Sequence, residues 1–317
     1  MKVIDHLRSR RHTLFSFEIL PPLKGKDIRS IYAGIDPLME FKPSFINVTY
    51  HREEVIYKER GQGLLQKIRL RKRPGTVGIC AMIKAKYDVD TVPHLICGGF
   101  SREDTEDALI ELNFLGIDNV LALRGDAVKN EGHFIPERDG HAHAEDLVRQ
   151  ITGLNRGKYL YEEEQEAAPT DLCIGAACYP EKHPEALNLA TDIAYLKRKV
   201  EAGAEYLVTQ MFFDNRKYFD FVERCKQEGI GVPIIPGLKP LTTLRQISFL
   251  PKTFHIDLPE EYAKGLVGCR TDEEVMALGV EWTVQQAKEL QAHNVPSLHF
   301  YTMGRSEALK AIASRLF

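Results

Sequence analysis

Residues 92–126 read VPHLICGGFSREDTEDALIELNFLGIDNVLALRGD, in which an apolar string, a helical pattern and a second apolar string follow one another. The two apolar strings, Val92–Ile96 and Asn119–Leu123, have the length and the residue types of strands that are buried on both faces. Between them, Ser101 followed by Asp104 is typical of the start of a helix. Because parallel neighbours need a crossover connection, which is usually a helix, this stretch predicts a parallel β-α-β unit.

The same alternation of strand and helix continues on both sides of this unit. The apolar strings predict eight strands, at Leu14–Phe17, Phe45–Val48, Val92–Ile96, Asn119–Leu123, Leu172–Ala177, Tyr206–Thr209, Val232–Ile235 and Leu298–Tyr301. Helical patterns lie between them, at Asp27–Glu40, Gly75–Lys86, Arg102–Leu115, Ala144–Asn155, Pro184–Ala202, Arg216–Glu228, Thr242–Leu250 and Asp272–Asn294. Eight such units predict an α/β fold, a (β/α)8 TIM barrel that forms a single domain over residues 1–317, with extra helices and loop insertions. A doubly wound open sheet is the alternative.

The composition is that of an ordinary globular protein. Its 42 Lys and Arg residues against 45 Asp and Glu residues give a formal net charge of −3, which excludes a dedicated nucleic-acid binder with a strongly basic surface. No run approaches the roughly 18 apolar residues of a membrane span, and the first residues, MKVIDHLRSRRH, lack the apolar stretch of a signal peptide. We therefore expect a cytoplasmic protein without membrane partners. The six cysteines are scattered, which favours reduced thiols over disulfides or zinc.

Two stretches are longer than simple connections require. Residues 51–74 (HREEVIYKERGQGLLQKIRLRKRP) are strongly basic, and residues 156–170 end in the polar run EEEQEAAPT. A charged run of this kind is most often a solvated face, although a lid over the barrel or a contact between subunits would also use it. We interpret the basic segment as a solvated face and the acidic one as a surface insertion.

In a parallel barrel the carboxyl ends of all strands form one rim, and the active site lies there. The residues at or near the ends of the apolar strings are therefore candidate site residues, namely Glu18, Thr49 with Tyr50, His94, Arg124-Gly125-Asp126, Tyr179, Gln210, Pro236-Gly237 and Tyr301 with Arg305. All of these places except Pro236-Gly237 present polar or ionisable side chains. A purely structural barrel has no reason to collect them on one edge, so the pattern predicts an active site.

Each of these residues also has a structural interpretation. Glu18 stands in SFEILPP between apolar residues, so its carboxylate is either paired with a cation or poised with a raised pKa. His94 alone could be a core histidine, and Gln210 could be a buried amide that is bonded to the backbone. The residues Arg124-Gly125-Asp126 could form a tight turn with a structural ion pair.

The sequence lacks the common phosphate-binding motifs and shows no metal-ligand pattern. Neither G-x-G-x-x-G nor G-x-x-x-x-G-K-[ST] occurs, so neither a Rossmann nor a P-loop cradle is predicted. The adjacent cations Arg198 and Lys199 form either surface ion pairs or a site for a pyrophosphate. His133, His141 and His143 lie in a polar loop without a matching carboxylate or thiol pattern, so we expect no metal site.

Eight short motifs spread over nearly the whole chain point to one family. They are SFEILPP, VTY, PHLIC, LALRGD, AACYPEKHPEA, LKRKVEAGAEYLVTQMFFD, IIPG and HFYTMGR. In this order they closely resemble the bacterial type of the flavin-dependent methylenetetrahydrofolate reductase family. The resemblance implies a barrel that holds non-covalent FAD at its carboxyl rim. It also implies reduction of 5,10-methylenetetrahydrofolate to 5-methyltetrahydrofolate with NADH or NADPH, by a ping-pong hydride transfer through the flavin that feeds methionine synthesis.

The same resemblance assigns roles to individual residues. Glu18 would be the general acid that protonates a ring nitrogen of the folate, Asp126 would favour hydride donation by the flavin, and Gln210 would hydrogen-bond the substrate. Tyr301 and Arg305 would also contact the folate. The FAD contacts would be Thr49, His94, Leu123, Arg124, Gly125, Asp126, Ala144, Tyr179, His183, Ala186, Asp192, Arg198 and Lys199. The implied partners are a folate and a nicotinamide, and we expect a homo-oligomer.

Two residues depart from the family pattern, and two other functions stay open. Tyr195 stands where some bacterial members have an Asn beside the flavin, and Leu250 where some have a Phe at the substrate face. The chain ends at Phe317, so an S-adenosylmethionine-binding domain of the eukaryotic type is expected to be absent. The alternative functions are a related barrel flavoenzyme fed by a protein electron donor, with the basic segment as its docking face, and a catalytically silent flavin or folate carrier.

Overall fold

Short apolar segments form the nine strands of one parallel sheet. The computed structural model describes residues 1–61, 63–127, 132–161, 167–303 and 306–317, and of Val55 and Arg69 the backbone only. The strands are β1 (Leu14–Ile19), β2 (Phe45–Val48), β3 (Glu54–Glu59), β4 (Leu65–Leu70), β5 (Asp90–Ile96), β6 (Asn119–Leu123), β7 (Cys173–Cys178), β8 (Tyr206–Thr209), β9 (Ile234–Ile235), β10 (Gly237–Leu238) and β11 (Ser297–Tyr301). The parallel sheet has the order β10-β11-β1-β2-β5-β6-β7-β8-β9, while β3 and β4 form a separate antiparallel pair.

The sheet closes into a barrel through a strand that is split at Pro236. Strand β9 pairs with β8, and β10, which begins after Pro236, pairs with β11 on the other side. Pro236 has no backbone N–H to give to a ladder, while its carbonyl accepts the His299 N–H at 3.1 Å. With β9 and β10 counted as one, the ring has eight strands. The predicted TIM barrel is therefore confirmed, and the alternative of an open sheet is wrong. The strand predicted at Val232–Ile235 is observed at Ile234–Ile235 and Gly237–Leu238, with an interruption at Pro236.

Helices connect the strands and cover the outside of the barrel. They are α1 (Val3–Ser9), α2 (Arg29–Ile35), α3 (Thr76–Tyr87), α4 (Arg102–Phe114), α5 (Ala144–Leu154), α6 (Leu189–Ala202), α7 (Asn215–Gln227), α8 (Leu244–Phe254), α9 (Glu260–Gly268), α10 (Asp272–Ala292) and α11 (Glu307–Ala313), with a 3-10 helix at Asp36–Phe41. The helix start predicted at Ser101 is confirmed, because its hydroxyl accepts the Asp104 N–H at 3.1 Å. Helix α6 begins at Leu189 and not at the predicted Pro184, because the Asn188 side chain caps its first turn.

Helix α1, which no sequence pattern above predicts, closes the amino-terminal end of the barrel. Its residues Val3 and Ile4 pack against inward-facing strand residues such as Phe45 and Tyr206. The Val3 N–H also donates to Asn119 Oδ1 at 2.7 Å. This apolar plug leaves the carboxyl rim as the open end of the barrel. Helices α9 and α11 are likewise absent from the predictions, since both are short.

The basic segment 51–74 contains a β-hairpin, formed by β3 and β4, at the rim of the barrel. Tyr57 and Leu64 on this hairpin are 62% and 65% exposed, as expected of a solvated segment. The base of the hairpin is fixed to the barrel, because the Arg71 guanidinium donates to the Tyr50 hydroxyl and lies over its ring. The hairpin is thus an insertion that stands beside the rim.

Within the described residues, no helix combines the length and the apolar character of a membrane span, and no group of His, Cys, Asp and Glu side chains is placed to hold a metal ion. The six cysteines are free thiols, and five of them are buried. Burial raises the pKa of Cys97 and Cys173 to about 12, so these thiols stay protonated near neutral pH.

Candidate active site

Side chains of each barrel strand alternate between the interior and the surrounding helices, and the interior row leads to the rim. In β1, Leu14 packs in the interior cluster at the closed end, Ser16 is buried above it, and Glu18 is next in the row. The register places Glu18 beside Tyr301 on one neighbouring strand and beside Asn47 on the other. A carboxyl group therefore lies at the open end of the barrel, as the sequence predicts.

The Glu18 carboxyl group is almost fully enclosed and lies near a neutral histidine. Its side chain is 14% exposed, and His94 Nε2 lies 3.9 Å from its Oε2. The Asn47 amide donates to the same histidine nitrogen at 3.1 Å, so this nitrogen acts as an acceptor. Burial lowers the pKa of His94 to about 3, and its ring is therefore uncharged at neutral pH. His94 lies inside β5 and not at its end, so it is a buried histidine with a satisfied ring nitrogen beside the site.

Burial also decides the protonation of Glu18. The loss of solvation raises the pKa of Glu18 to about 8, against the opposing effect of the Lys239 ammonium group. Of the two sequence interpretations, the raised pKa is the one that the structure supports. At pH 7 this carboxyl group carries a proton, which a buried acid can donate to a bound molecule.

The other side of the rim is formed by the ends of β8, β10 and β11. The Tyr301 hydroxyl donates to the Thr209 carbonyl at 2.5 Å and so joins β11 to β8. At Gly237 a Cβ would lie 2.4 Å from that carbonyl oxygen and 2.5 Å from the Tyr301 hydroxyl, so only glycine fits. Gln210 is half-buried, and its Oε1 accepts the Met211 N–H at 2.9 Å. Its amide nitrogen has no partner within the described part of the chain and can donate to a ligand.

The residues Arg124-Gly125-Asp126 form an irregular segment after β6 without an ion pair between them. The Arg124 guanidinium instead binds Glu185, with Nη2 2.7 Å from Oε1, and lies 5.0 Å above the Phe134 ring. Gly125 has a φ of +84°, a conformation that other residues rarely adopt. Asp126 is exposed in this segment, so its carboxylate is available to a molecule bound at the rim.

Two tyrosines of the rim are each influenced by one of the two predicted carboxyl groups. Burial raises the pKa of Tyr301, and the nearby Glu18 and Tyr179 raise it further. Burial likewise raises the pKa of Tyr179, with added effects of Asp192 and Asp126. Because such effects fall off with distance, Glu18 lies near Tyr301 and Asp126 lies near Tyr179.

Helix α6 and the loop before it supply a second group of predicted residues. The Tyr179 ring meets the His183 ring edge to face, with 4.7 Å between the ring centres. The Asp192 carboxylate accepts a hydrogen bond from the backbone N–H of His183 at 2.8 Å. The Lys199 ammonium group donates to the Ala177 carbonyl at 2.6 Å, which directs it towards the end of β7. The structure thus brings Tyr179, His183, Asp192 and Lys199 together on one side of the rim.

Arg198 and Lys199 point in different directions, as consecutive residues on a helix do. The Arg198 side chain is 54% exposed and pairs with Glu145 on α5 at 2.8 Å. The structure therefore gives Arg198 the surface ion pair that was one of its two interpretations. A pyrophosphate contact shared with Lys199 would require Arg198 to leave Glu145.

The remaining predicted contacts lie around the same rim. Thr49 follows β2, and its hydroxyl donates to the last carbonyl of β1 at 3.3 Å. Leu123 ends β6, Ala144 begins α5, and Ala186 is buried in the turn before α6. Arg305 lies outside the described residues.

The two departures from the family pattern have different surroundings. Tyr195 is half exposed on α6, and the Arg198 guanidinium lies 5.7 Å from its ring centre. Leu250 is fully buried in α8, in an apolar cluster with Met211 and Tyr262. Leu250 is therefore a core residue here.

Three residues of the rim are absent from the sequence predictions. Asn47 orients the buried histidine, Glu185 holds the arginine after β6, and Lys239 acts electrostatically on Glu18. Lys239 is 3% exposed. The signal that could have identified it is a cation inside the string PGLKPL, two residues beyond the inward-facing Gly237.

The chain is similar to a set of folate enzymes over nearly its whole length. A family model described as methylenetetrahydrofolate reductase matches residues 2–317. The chain is 31% identical over 302 residues to the 5,10-methylenetetrahydrofolate reductases of Escherichia coli and Salmonella typhimurium, covering 95% of this chain and 90% of each relative. It is 32% identical over 329 residues to methylenetetrahydrofolate reductase (NADH) 1 of Arabidopsis thaliana, covering 100% of this chain and 51% of the relative. The chain thus spans about half the length of such plant relatives.

Solved structures share the barrel. An uncharacterized Clostridium thermocellum protein that binds two copies of 5-methyl-5,6,7,8-tetrahydrofolic acid aligns with a TM-score of 0.60 at 14% identity, over 98% of this chain and 96% of that chain. Oxaloacetate acetylhydrolase aligns with a TM-score of 0.50 at 12% identity, over 98% and 82% of the two chains. Because proteins with different functions share this barrel, the likeness establishes the fold alone.

Proposed function

Because the chain belongs to the methylenetetrahydrofolate reductase family, we propose that it reduces 5,10-methylenetetrahydrofolate to 5-methyltetrahydrofolate. NADH or NADPH would supply the electrons, and the word NADH in the names of plant relatives favours NADH. The observation that carries the proposal is the enclosed carboxyl group of Glu18, which is protonated at neutral pH at the open end of the barrel. The proposal includes a cytoplasmic location, a homo-oligomer and a role in methionine synthesis.

Glu18 would act as the general acid. The substrate holds its one-carbon bridge in a five-membered ring, and protonation of a ring nitrogen opens this ring to an iminium ion that accepts hydride. The donor must hold its proton near pH 7 and still release it, which a pKa of about 8 allows. His94 cannot replace it, because the pKa of about 3 leaves this imidazole without a proton to give on Nε2.

Gln210 and Tyr301 would position the folate beside that acid. The Gln210 side chain is held by the Met211 N–H through its oxygen, so its amide N–H groups are left to donate to the substrate. Tyr301 is fixed by its bond to the Thr209 carbonyl and stands next to Glu18 in the register. Arg305 is proposed as a further folate contact on the basis of the family resemblance.

Non-covalent FAD is the proposed cofactor, and when bound it carries hydride from the nicotinamide to the folate. The positive charges of Lys199 and Arg124 suit its phosphates. Asn47 Oδ1 is buried without a hydrogen-bond partner, which leaves an acceptor for a ligand N–H beside the site. The exposed carboxylate of Asp126 would favour the release of hydride. Support for the other contacts comes from the resemblance.

Replacing Lys199 with methionine is expected to raise the dissociation constant for FAD about 10- to 100-fold, because a charge-assisted hydrogen bond is lost. Fluorescence titration of the apoprotein with FAD measures this constant. Lys197→Met, on the same helix but outside the predicted contacts, is the control and should bind FAD like the wild type. Equal binding by the Lys199 variant and the control would remove Lys199 from the cofactor site.

The rate of folate reduction should fall as the pH rises through about 8. Burial raises the pKa of Glu18 to about 8. The protonated carboxyl group, which donates the proton, therefore predominates below this pH and is lost above it. Rapid-reaction measurements of reduced protein mixed with the folate, from pH 6 to pH 10, would give this profile. A rate that is the same at pH 6 and at pH 10 would contradict the assignment, because a glutamate with the ordinary pKa of 4.5 would already be ionised throughout this range.

The proposed function is tested by steady-state kinetics with both substrates varied. If NADH and the folate use one site in turn, reciprocal plots should give parallel lines, and intersecting lines would contradict this order. A protein electron donor would be favoured instead if excess NADH and NADPH both leave the flavin oxidised, and the exposed basic hairpin would then be its candidate docking face. Good FAD binding without any activity would favour the carrier.

A further inference from the structure

Lys239 is a buried cation at the rim to which neither the motifs nor the family resemblance gives a role. It follows Leu238 at the end of β10 and is 3% exposed. Gly237 faces the interior next to Tyr301, so the alternation along the strand turns Lys239 to the interior as well. Strand β10 pairs with β11 and β11 pairs with β1, which places Tyr301 between Lys239 and Glu18.

The titratable groups that face Glu18 from the other barrel strands are uncharged near neutral pH. Strand β5 contributes His94 and β11 contributes His299, and burial lowers the pKa of both imidazoles to about 3. Strand β11 also contributes Tyr301, whose pKa is raised by burial. Strand β2 contributes no titratable side chain at this level. Among the described groups of the interior, Lys239 is therefore the cation that acts on Glu18.

Two further groups approach from the base of the hairpin. Arg73 donates to the Pro21 carbonyl, and His51 acts on His94. The Arg73 guanidinium is thus directed to the backbone, and burial and the nearby Arg73 lower the pKa of His51, so its imidazole is uncharged near neutral pH.

We propose that Lys239 is a positioning residue for the acid chemistry, because its buried ammonium group faces the same end of the barrel interior as the Glu18 carboxyl group and adjusts how that group donates and regains a proton. Burial alone would make this carboxyl group hold its proton too firmly, and a weaker acid transfers its proton less readily. A neighbouring positive charge offsets this effect without removing the proton at neutral pH. The catalytic consequence rests on the proposed function.

The test measures the protonation of Glu18 directly. Infrared difference spectra of the purified protein between pH 5 and pH 10 follow the carbonyl stretch of protonated carboxyl groups, and the part that is absent in Glu18→Gln belongs to Glu18. In Lys239→Met the midpoint of this signal should rise by about one pH unit or more, a tenfold gain in proton affinity. Lys239→Arg keeps the charge, and Lys226→Met removes an exposed lysine of α7, so both midpoints should match the wild type.

An unchanged or lower midpoint in Lys239→Met would overturn the proposal, and Lys239→Gln removes the same charge if the methionine variant does not fold. In active protein, the alkaline decline of the folate step should move upward with the infrared midpoint. If the wild type reduces no folate at all, the proposed function fails, whereas the infrared midpoints still decide whether Lys239 sets the proton affinity of Glu18.

Discussion

Replacing Glu18 with glutamine is expected to slow the reduction of methylenetetrahydrofolate about 10²- to 10⁴-fold. Glutamine keeps the size of the side chain but has no acidic proton to give to the ring nitrogen of the folate. Stopped-flow absorbance of the reduced protein mixed with the folate measures this step alone. Reduction of the flavin by NADH should stay close to the wild-type rate, because that step needs no acid.

Glu181 offers a matched control on the same rim. Its side chain is 8% exposed, but its carboxylate accepts the Lys217 ammonium group at 2.6 Å and is therefore part of an ion pair. Glu181→Gln should leave the folate step within a few-fold of the wild type. If Glu18→Gln reduced the folate at the wild-type rate, or if both variants lost the same fraction of this rate, the role of Glu18 as the acid would be contradicted.

Replacing Gly279 with alanine is expected to lower the free energy of unfolding by about 3 kcal/mol or more. Gly279 lies inside α10, where a Cβ would stand 2.0 Å from the Leu241 carbonyl oxygen. The oxygen belongs to the backbone and cannot swing away as a flexible side chain would, so the helix or the segment after β10 must shift. That segment carries Lys239, and the strain would therefore reach the rim. Urea denaturation followed by circular dichroism measures the loss.

Gly78 in α3 is the control for this substitution. Among the described residues, no heavy atom other than those of its chain neighbours and of the nearby helix backbone would lie within 4 Å of a Cβ at Gly78, so alanine there should be neutral or should stabilise the protein by up to about 1 kcal/mol. Equal effects of Gly279→Ala and Gly78→Ala would show that the close approach of α10 to Leu241 does not limit stability.

The barrel could be predicted because parallel strands buried on both faces leave continuous apolar strings, as at Asn119–Leu123. The split at Pro236 could not, because strands of two residues carry no periodic signal. Helix α1 escaped prediction for a related reason. Its seven residues are too few for a helical pattern, and its apolar side chains are buried only by distant strands.

The rim residues could be predicted because the active site of a parallel barrel lies at the carboxyl ends of its strands. Their protonation and ion pairing, by contrast, depend on contacts between distant parts of the chain. The raised pKa of Glu18 comes from enclosure by the whole barrel and from Lys239, which lies far along the sequence. The ion pair of Arg198 depends on how α5 packs beside α6. Spacing alone could identify both cations and carboxylates but could not pair them.

The absorption spectrum of the purified protein under anaerobic conditions tests the central claim, a flavin held where Glu18 can serve the folate. We predict flavin bands that NADH bleaches and that methylenetetrahydrofolate then restores. A colourless protein that takes up no FAD, or a bleached spectrum that the folate leaves unchanged, would contradict the account.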